Sequence, residues 1–179
     1  MMSNKKVFVL GLDGATFDLI LPWAHEGKLP AFSKFISEGA IGEMDSVPNQ
    51  RSAAAWTSFM TGKNPGKHGI FEFYEYIPST YNLRFINAKT RDGDSLWKIL
   101  SKHGKKVGVI NVPMTYPAEE VNGFLIAGLD APSIKSEGFT YPQDLYNVIC
   151  KECGDYILEP GLTGALVGGR IKEATEMIK

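Results

Sequence analysis

Two side chains stand where ligand-binding chemistry is common in proteins, and the first of them is Asp13. It directly follows the apolar run Val7–Leu12, and the ligands of open α/β sheets collect beyond the carboxyl ends of the strands. A carboxylate in that position is a candidate metal ligand. Asp13-Gly14 is also a common turn pair, so position alone leaves a purely structural role for Asp13 open.

The second side chain is Ser52, which stands at the start of a predicted helix that ends at Gly62. A hydroxyl at a helix N-terminus lies where phosphate binds, because unpaired N–H groups and the positive end of the helix dipole meet there. A divalent cation would lower the pKa of the hydroxyl and make it a nucleophile. A helix-capping role, with a stabilisation of roughly 1 kcal/mol, explains the same serine without any chemistry.

The elements around these side chains predict an α/β fold with a mainly parallel sheet flanked by helices. The run Val7–Leu12 shows no alternation of apolar and polar residues, which is typical of a strand buried on both faces. Helices are predicted over residues 29–39, 52–62, 94–104 and 142–150, and strands over 7–12, 40–47, 106–112 and 124–128. Residues 63–70 are predicted to form an ordered loop, and residues 71–76 a strand or a substrate-facing loop.

Composition excludes several classes of protein. The chain has 179 residues, 44% of them hydrophobic, with 19 basic and 20 acidic side chains and a net charge of −1, so a single domain with a sizeable core is expected and a nucleic-acid partner is not. The apolar run near the N-terminus is too short for a signal sequence or a membrane span. With two cysteines, the composition favours a cytoplasmic protein without a membrane partner.

One long motif and the order of the elements resemble the N-terminal half of the alkaline phosphatase superfamily. The motif runs from Ser52 to Ile70 and includes the segments Trp56-Thr57-Ser58-Phe59-Met60-Thr61-Gly62, Pro65 and His68-Gly69-Ile70. Residues 108–117 and 128–132 are similar to the same superfamily. The branch that the chain resembles is the type I phosphodiesterase/nucleotide pyrophosphatase group with its phosphohydrolase and phosphomutase relatives.

The resemblance implies an alkaline phosphatase-like core and a site with two divalent metals, zinc above all, with manganese or magnesium as alternatives. Asp13 matches the branch's metal ligand and Ser52 its nucleophile, and the two would share one metal. The hydroxyl would attack phosphorus and form a phospho-enzyme intermediate, which water then cleaves. One metal lowers the pKa of the hydroxyl, while the pair holds the attacking and leaving oxygens in line.

The chain also departs from neighbouring branches. Nucleotide pyrophosphatases carry an asparagine three residues after the nucleophile, where this chain has Ala55. The sulfatase pattern requires a proline and an arginine where this chain has Ala54 and Trp56, which argues against that branch. The resemblance therefore implies a small phosphate ester or nucleotide-like substrate without stating its identity.

The sequence contains few candidate metal ligands, whereas two catalytic zinc ions need about six protein groups. The histidines are His25, His68 and His103; the first and last are expected on the surface, and a structural role is favoured for His68. In the superfamily the remaining ligands come from segments downstream of a helix like the one that Gly168-Gly169 opens here. The chain is therefore expected to be the N-terminal part of a larger catalytic domain, with residues 1–179 forming a single α/β domain.

Two further residues are candidates for substrate binding. Arg51 directly precedes Ser52 and could contact phosphate, although a solvated side chain explains it equally well. Asn111 ends a predicted strand at the sheet edge expected for Asp13. The pair Cys150 and Cys153 lacks the second pair that a structural zinc site needs.

The sequence thus predicts a metal-dependent phosphohydrolase or phosphodiesterase with Ser52 as nucleophile and Asp13 as metal ligand. Two alternatives stay open. One is a non-catalytic member, degenerate or truncated, that binds phosphate or a metal. The other is a phosphomutase, which would return the phosphoryl group to its substrate. Composition gives no indication of the oligomeric state.

Overall fold

The computed structural model describes residues 5–158 together with Gly169, Lys172 and Glu176. The chain divides into two compact units, residues 1–45 and residues 46–179. The predicted helix after Gly168 lies largely outside the described residues.

The first unit contains two contacting helices, α1 (Phe17–His25) and α2 (Pro30–Glu38). Helix α2 confirms the helix predicted before Gly39 and begins with proline, which lacks only an N–H that the first helical position leaves unpaired. The Ser33 hydroxyl donates a hydrogen bond of 2.7 Å to the Ala24 carbonyl oxygen and so joins the two helices.

The predicted strand over residues 7–12 is wrong. These residues adopt no regular secondary structure, and Val7 and Phe8 are 87% and 88% exposed. A strand exists only through hydrogen bonds to a partner, and within the described residues no strand pairs with this run. The strand predicted over residues 40–47 is not formed either.

In the described part of the second unit there are five short strands in two sheets. Strands β1 (Tyr74–Tyr76) and β2 (Leu83–Phe85) form an antiparallel pair. In the second sheet, β3 (Val107–Val112) pairs in parallel with β4 (Gly123–Ala127), and β4 pairs antiparallel with β5 (Thr140–Tyr141). The predictions of strands near residues 106–112 and 124–128 are therefore confirmed.

Up to residue 158, the helices of the second unit are α3 (Ser52–Thr61), α4 (Pro65–His68), α5 (Leu96–Lys102) and α6 (Leu145–Cys153). Three of them confirm helices predicted from the sequence. The fourth, α4, is a single turn within the segment predicted as a loop. The sequence offers Asp94 or Ser95 as the cap of α5, and the cap is Ser95, because its hydroxyl oxygen accepts a hydrogen bond from the Lys98 N–H.

The core of the second unit lies between the β3–β4–β5 sheet and helices α3 and α5. It contains, among others, Ala53, Met60, Ile70, Trp97, Val109, Met114, Leu125, Ile126 and Phe139. Helix α3 contributes its buried face, and the motif that follows it contributes Ile70, which is fully buried. The long motif of the sequence is thus anchored in this core.

The prediction of an α/β fold is confirmed in part. The described residues contain one parallel pair of strands and two antiparallel pairs, so they do not form the mainly parallel sheet that was expected. The reason is the first apolar run, which the prediction counted as a parallel strand and which pairs with no strand among the described residues.

Candidate active site

Ser52 is the first residue of α3 and is half-buried. The residue in the capping position is Arg51, whose extended backbone leads into the helix, so the helix boundary lies one residue before the predicted one. At the other end Gly62 adopts the left-handed conformation with φ 65° and terminates the helix as predicted. The ten-residue helix therefore starts at the candidate nucleophile.

Arg51 places a positive charge beside this helix start. Its Nε lies 3.6 Å from Oε2 of Glu72, and its side chain is 68% exposed. A pair this exposed contributes little to stability, because water competes for both charges. The guanidinium group is therefore available, at small cost, to an anion that approaches the N-terminus of α3.

His68, at the end of α4, is fully buried. Its Nδ1 accepts a hydrogen bond of 3.1 Å from the Ile70 N–H, and its Nε2 lies 2.9 Å from the Ser58 hydroxyl oxygen on α3. Both ring nitrogens thus have partners within the protein. A metal ion would have to displace one of them, which supports the structural role that the sequence favoured for this histidine.

Burial lowers the pKa of His68 below its ordinary value of 6.5. The Ala54 backbone opposes the shift of this pKa, and the Lys63 ammonium group adds to it. The imidazole is therefore neutral at physiological pH. His25 and His103 are exposed, as the sequence predicted.

Asp13 lies in the first unit, in an exposed turn with Gly14, whose φ is 68°. Asn111 lies in the second unit, at an irregularity in the pairing of β3 with β4, and is exposed. Its φ of 55° is left-handed, a conformation that asparagine adopts more readily than most other residues. The left-handed backbone therefore explains why asparagine occupies position 111 without any contact to substrate.

The segment after β3 is held by Asp130, a residue of the second similar motif. Its Oδ1 accepts a hydrogen bond of 2.8 Å from the Met114 N–H, and its Oδ2 accepts one of 2.9 Å from the Tyr116 N–H. Burial raises the pKa of Asp130, while these backbone donors oppose the shift. The carboxylate acts as a backbone clamp for the loop that joins the parallel strands.

Sequence reasoning missed a buried ion pair beside this loop. The guanidinium of Arg91 lies 2.5 Å from Oε2 of Glu119, which also accepts a hydrogen bond of 2.7 Å from the Trp97 indole. Arg91 further donates to the Met114 carbonyl at 3.2 Å. The partners are far apart in sequence, so no local pattern could have revealed the pair. Both charges line an open cleft of about 650 Å³.

The donor set for a metal is incomplete in the part of the chain that the structure describes. No group of three or more His, Cys, Asp or Glu side chains within it could hold a metal ion. Cys150 and Cys153 are both free thiols. Among the same residues, no helix is both long and apolar enough for a transmembrane span.

A sequence model of the type I phosphodiesterase/nucleotide pyrophosphatase family matches residues 7–156. The chain belongs to this family. The match begins at the first apolar run and extends through Asp13, the motif from Ser52 to Ile70 and the Asp130 clamp. No curated protein and no solved structure matches the chain.

Membership of the type I phosphodiesterase/nucleotide pyrophosphatase family supports hydrolysis of phosphoric esters, with small phosphoester or nucleotide substrates, as the function at the level of the family. The family is generally dependent on divalent metals, whereas the described residues contain no group of three or more His, Cys, Asp or Glu side chains that could hold one. These residues do not by themselves fit a complete two-metal site.

Proposed function

We propose that this chain carries the nucleophile of a divalent-metal-dependent phosphohydrolase or phosphodiesterase, and that Ser52 is that nucleophile. The observation that carries the proposal is the position of Ser52 as the first residue of α3, in a chain whose residues 7–156 match the family. The first N–H groups of a helix have no partners within the helix and favour a bound anion.

The proposed reaction has two displacements at phosphorus. The Ser52 oxygen attacks phosphorus and loses its proton to solvent, while the bond from phosphorus to the leaving-group oxygen breaks and the leaving group takes up a proton. Water then attacks the phosphoserine, the bond from phosphorus to the serine oxygen breaks, and the serine regains a proton. Both steps develop negative charge on the phosphoryl oxygens at the N-terminus of α3.

Two residues are proposed to assist substrate binding. Arg51 precedes Ser52 and keeps an exposed guanidinium beside the helix start, where it would pair with a phosphoryl oxygen. Asn111 is exposed at the end of β3 and is proposed as a further contact to a small phosphate ester or nucleotide-like substrate.

Asp13 and Ser52 are proposed to share one divalent metal, and two zinc ions are the expected complement, with manganese or magnesium as alternatives. When bound, such ions lower the pKa of a hydroxyl and neutralise phosphoryl charge. The other donors are proposed to come from outside the described residues, within an alkaline phosphatase-like catalytic domain of which residues 1–179 are the N-terminal part. A cytoplasmic location is proposed from the two cysteines, which are both free.

The incomplete donor set favours a second candidate function, a non-catalytic member that keeps the fold and binds phosphate or one metal ion. It is supported by the absence of any three-ligand group from the described residues. The two candidates differ in one measurable property, which is turnover of a phosphate ester by the longest polypeptide that contains this chain.

The test replaces Ser52 by alanine and uses Ser37→Ala, an exposed serine on α2, as the matched control. Hydrolysis of p-nitrophenyl phosphate and of bis-p-nitrophenyl phosphate is measured with added zinc or manganese. We expect Ser52→Ala to lower kcat by at least about 10³-fold, since a nucleophile is lost, and Ser37→Ala to leave it unchanged. Melting temperatures are recorded for both variants.

Each outcome discriminates between the candidates. Full activity in Ser52→Ala would exclude Ser52 as the nucleophile. No turnover in the wild-type polypeptide at any metal concentration would favour the non-catalytic member. A comparison of the monoester and diester rates then identifies the substrate class.

A further inference from the structure

The buried imidazole of His68 connects the short helix α4 to α3. Its Nε2 lies 2.9 Å from the Ser58 hydroxyl oxygen, and the Ala54 backbone is near enough to the ring to raise its pKa. Ala54 and Ser58 are four residues apart and therefore occupy the same face of α3. The imidazole is therefore linked through Ser58 to the second turn of α3, and Ala54 on the same face belongs to the first turn, two residues after Ser52.

The hydrogen bonds determine which ring nitrogen carries the proton. The Ile70 N–H donates to Nδ1 at 3.1 Å, and a backbone amide can only donate, so Nδ1 must carry a lone pair. In a neutral imidazole the proton is then on Nε2, which donates to the Ser58 hydroxyl oxygen on α3. A second proton on Nδ1 would face the Ile70 N–H, and that hydrogen bond would be lost.

We propose that His68 is a positioning residue for Ser52: its neutral imidazole fastens the first turns of α3 to the loop at Ile70 and so fixes the helix start that carries the nucleophile. This inference rests on the proposed function of Ser52. Ile70 is fully buried in the core, so the imidazole ties the helix start to a rigid part of the unit.

Two charged residues, Lys63 and Asp92, lie close to His68. The Lys63 ammonium group disfavours the imidazolium form, and Lys63 pairs with Asp92 at 3.3 Å. The Asp92 N–H in turn donates a hydrogen bond of 3.0 Å to the His68 carbonyl oxygen. Because the pKa of His68 is lowered from 6.5, its contribution is present above that pH and is lost as the pH falls through the lowered value.

The first readout needs no catalytic activity. Nitrogen NMR of the imidazole should show a proton on Nε2 and a lone pair on Nδ1 at neutral pH. Hydrogen exchange of the Ala55 amide, which bonds to the Arg51 carbonyl at 2.9 Å, reports on the first turn of α3. We expect His68→Ala to speed that exchange at least 10-fold, and we expect His103→Ala, an exposed control, to leave it unchanged.

The second readout is kinetic, on the longest active polypeptide with bis-p-nitrophenyl phosphate and zinc. Misplacing a nucleophile by about 1 Å costs about 10²-fold, so His68→Ala should lower kcat by that factor with little change in KM. His68→Asn can accept from Ile70 and donate to α3, and should recover at least 10-fold. Ser58→Ala, which removes one partner and keeps the histidine, should lower kcat less.

The outcomes separate this inference from the function on which it rests. If Ser52→Ala abolishes turnover while His68→Ala keeps the wild-type kcat and Ala55 exchange, the positioning role is overturned and the nucleophile stands. If Ser52→Ala keeps its activity, both are overturned. A wild-type fall in kcat below pH 6.5 that persists unchanged in His68→Asn would also count against the positioning role.

Discussion

Two segments of this chain have similar sequences and different structures. Residues 7–13 and residues 123–130 each contain an apolar run that ends close to an aspartate. The second run forms β4 between two partner strands, and its Leu125 and Ala127 are fully buried. The first run is exposed and has no partner strand among the described residues. The difference shows that an apolar run becomes a strand only where a neighbour supplies hydrogen bonds.

The two aspartates differ in the same way. The Asp130 carboxylate accepts hydrogen bonds from two backbone N–H groups and holds the loop between β3 and β4. Asp13 lies in an exposed turn, and its proposed role is toward a metal. The comparison therefore predicts that changes in residues 123–130 act on stability and that changes in residues 7–13 act on function.

The largest expected effect comes from one leucine in each segment. Leu125→Ala removes a fully buried side chain from the sheet, and such truncations lower the free energy of unfolding by about 2–5 kcal/mol. Leu10→Ala changes a side chain that is 69% exposed and should cost about 0.5 kcal/mol or less. Urea unfolding measures both values. Equal losses in the two variants would show that the first run is buried in solution.

The sequence predicted most helices and the β3–β4 strands because their signals are local. Ser95 as a cap and Gly62 as a terminator can be recognised within one turn of helix. The local apolar pattern of residues 7–12 wrongly predicted a strand, since strand pairing depends on residues far along the chain. The same limit applies to Arg91 and Glu119, whose ion pair joins distant segments.

For the candidate site, the sequence identified the residue types better than their arrangement. It placed Ser52 at a helix start, which the structure confirms to within one residue. The structural role favoured for His68 agrees with its buried hydrogen bonds, but the partners Ser58 and Ile70 became known only from the fold. The roles of Asp13 toward a metal and of Asn111 toward a substrate stay predictions.

A smaller effect is expected from the glycine that follows each run. A Cβ on Gly128 would lie 2.3 Å from the Val112 carbonyl oxygen, which is backbone and cannot rotate away. Gly128→Ala should therefore cost about 3 kcal/mol of unfolding free energy. Gly14→Ala meets no atom within 4 Å but forces φ 68° on alanine, for about 1 kcal/mol. Urea midpoints of the two variants test this order, and a larger loss for Gly14→Ala would contradict it.

The smallest effects on stability are expected when Asp130 and Asp13 are each replaced by asparagine. Asp130→Asn keeps one acceptor oxygen and turns an amide donor toward the second backbone N–H, at a cost of about 1 kcal/mol since the site is only half-buried. Asp13→Asn should change unfolding by less than about 0.5 kcal/mol, because the turn is exposed.

Activity should show the reverse order for these two variants. Asp13→Asn removes a proposed metal ligand, so metal-activated hydrolysis should fall at least about 10-fold, and more added zinc should be needed for half-maximal rate. Asp130→Asn should keep the zinc dependence of the wild type, because its carboxylate binds backbone N–H groups. If the zinc dependence of Asp13→Asn is the same as that of the wild type, Asp13 is not a metal ligand and its role is that of an ordinary turn residue.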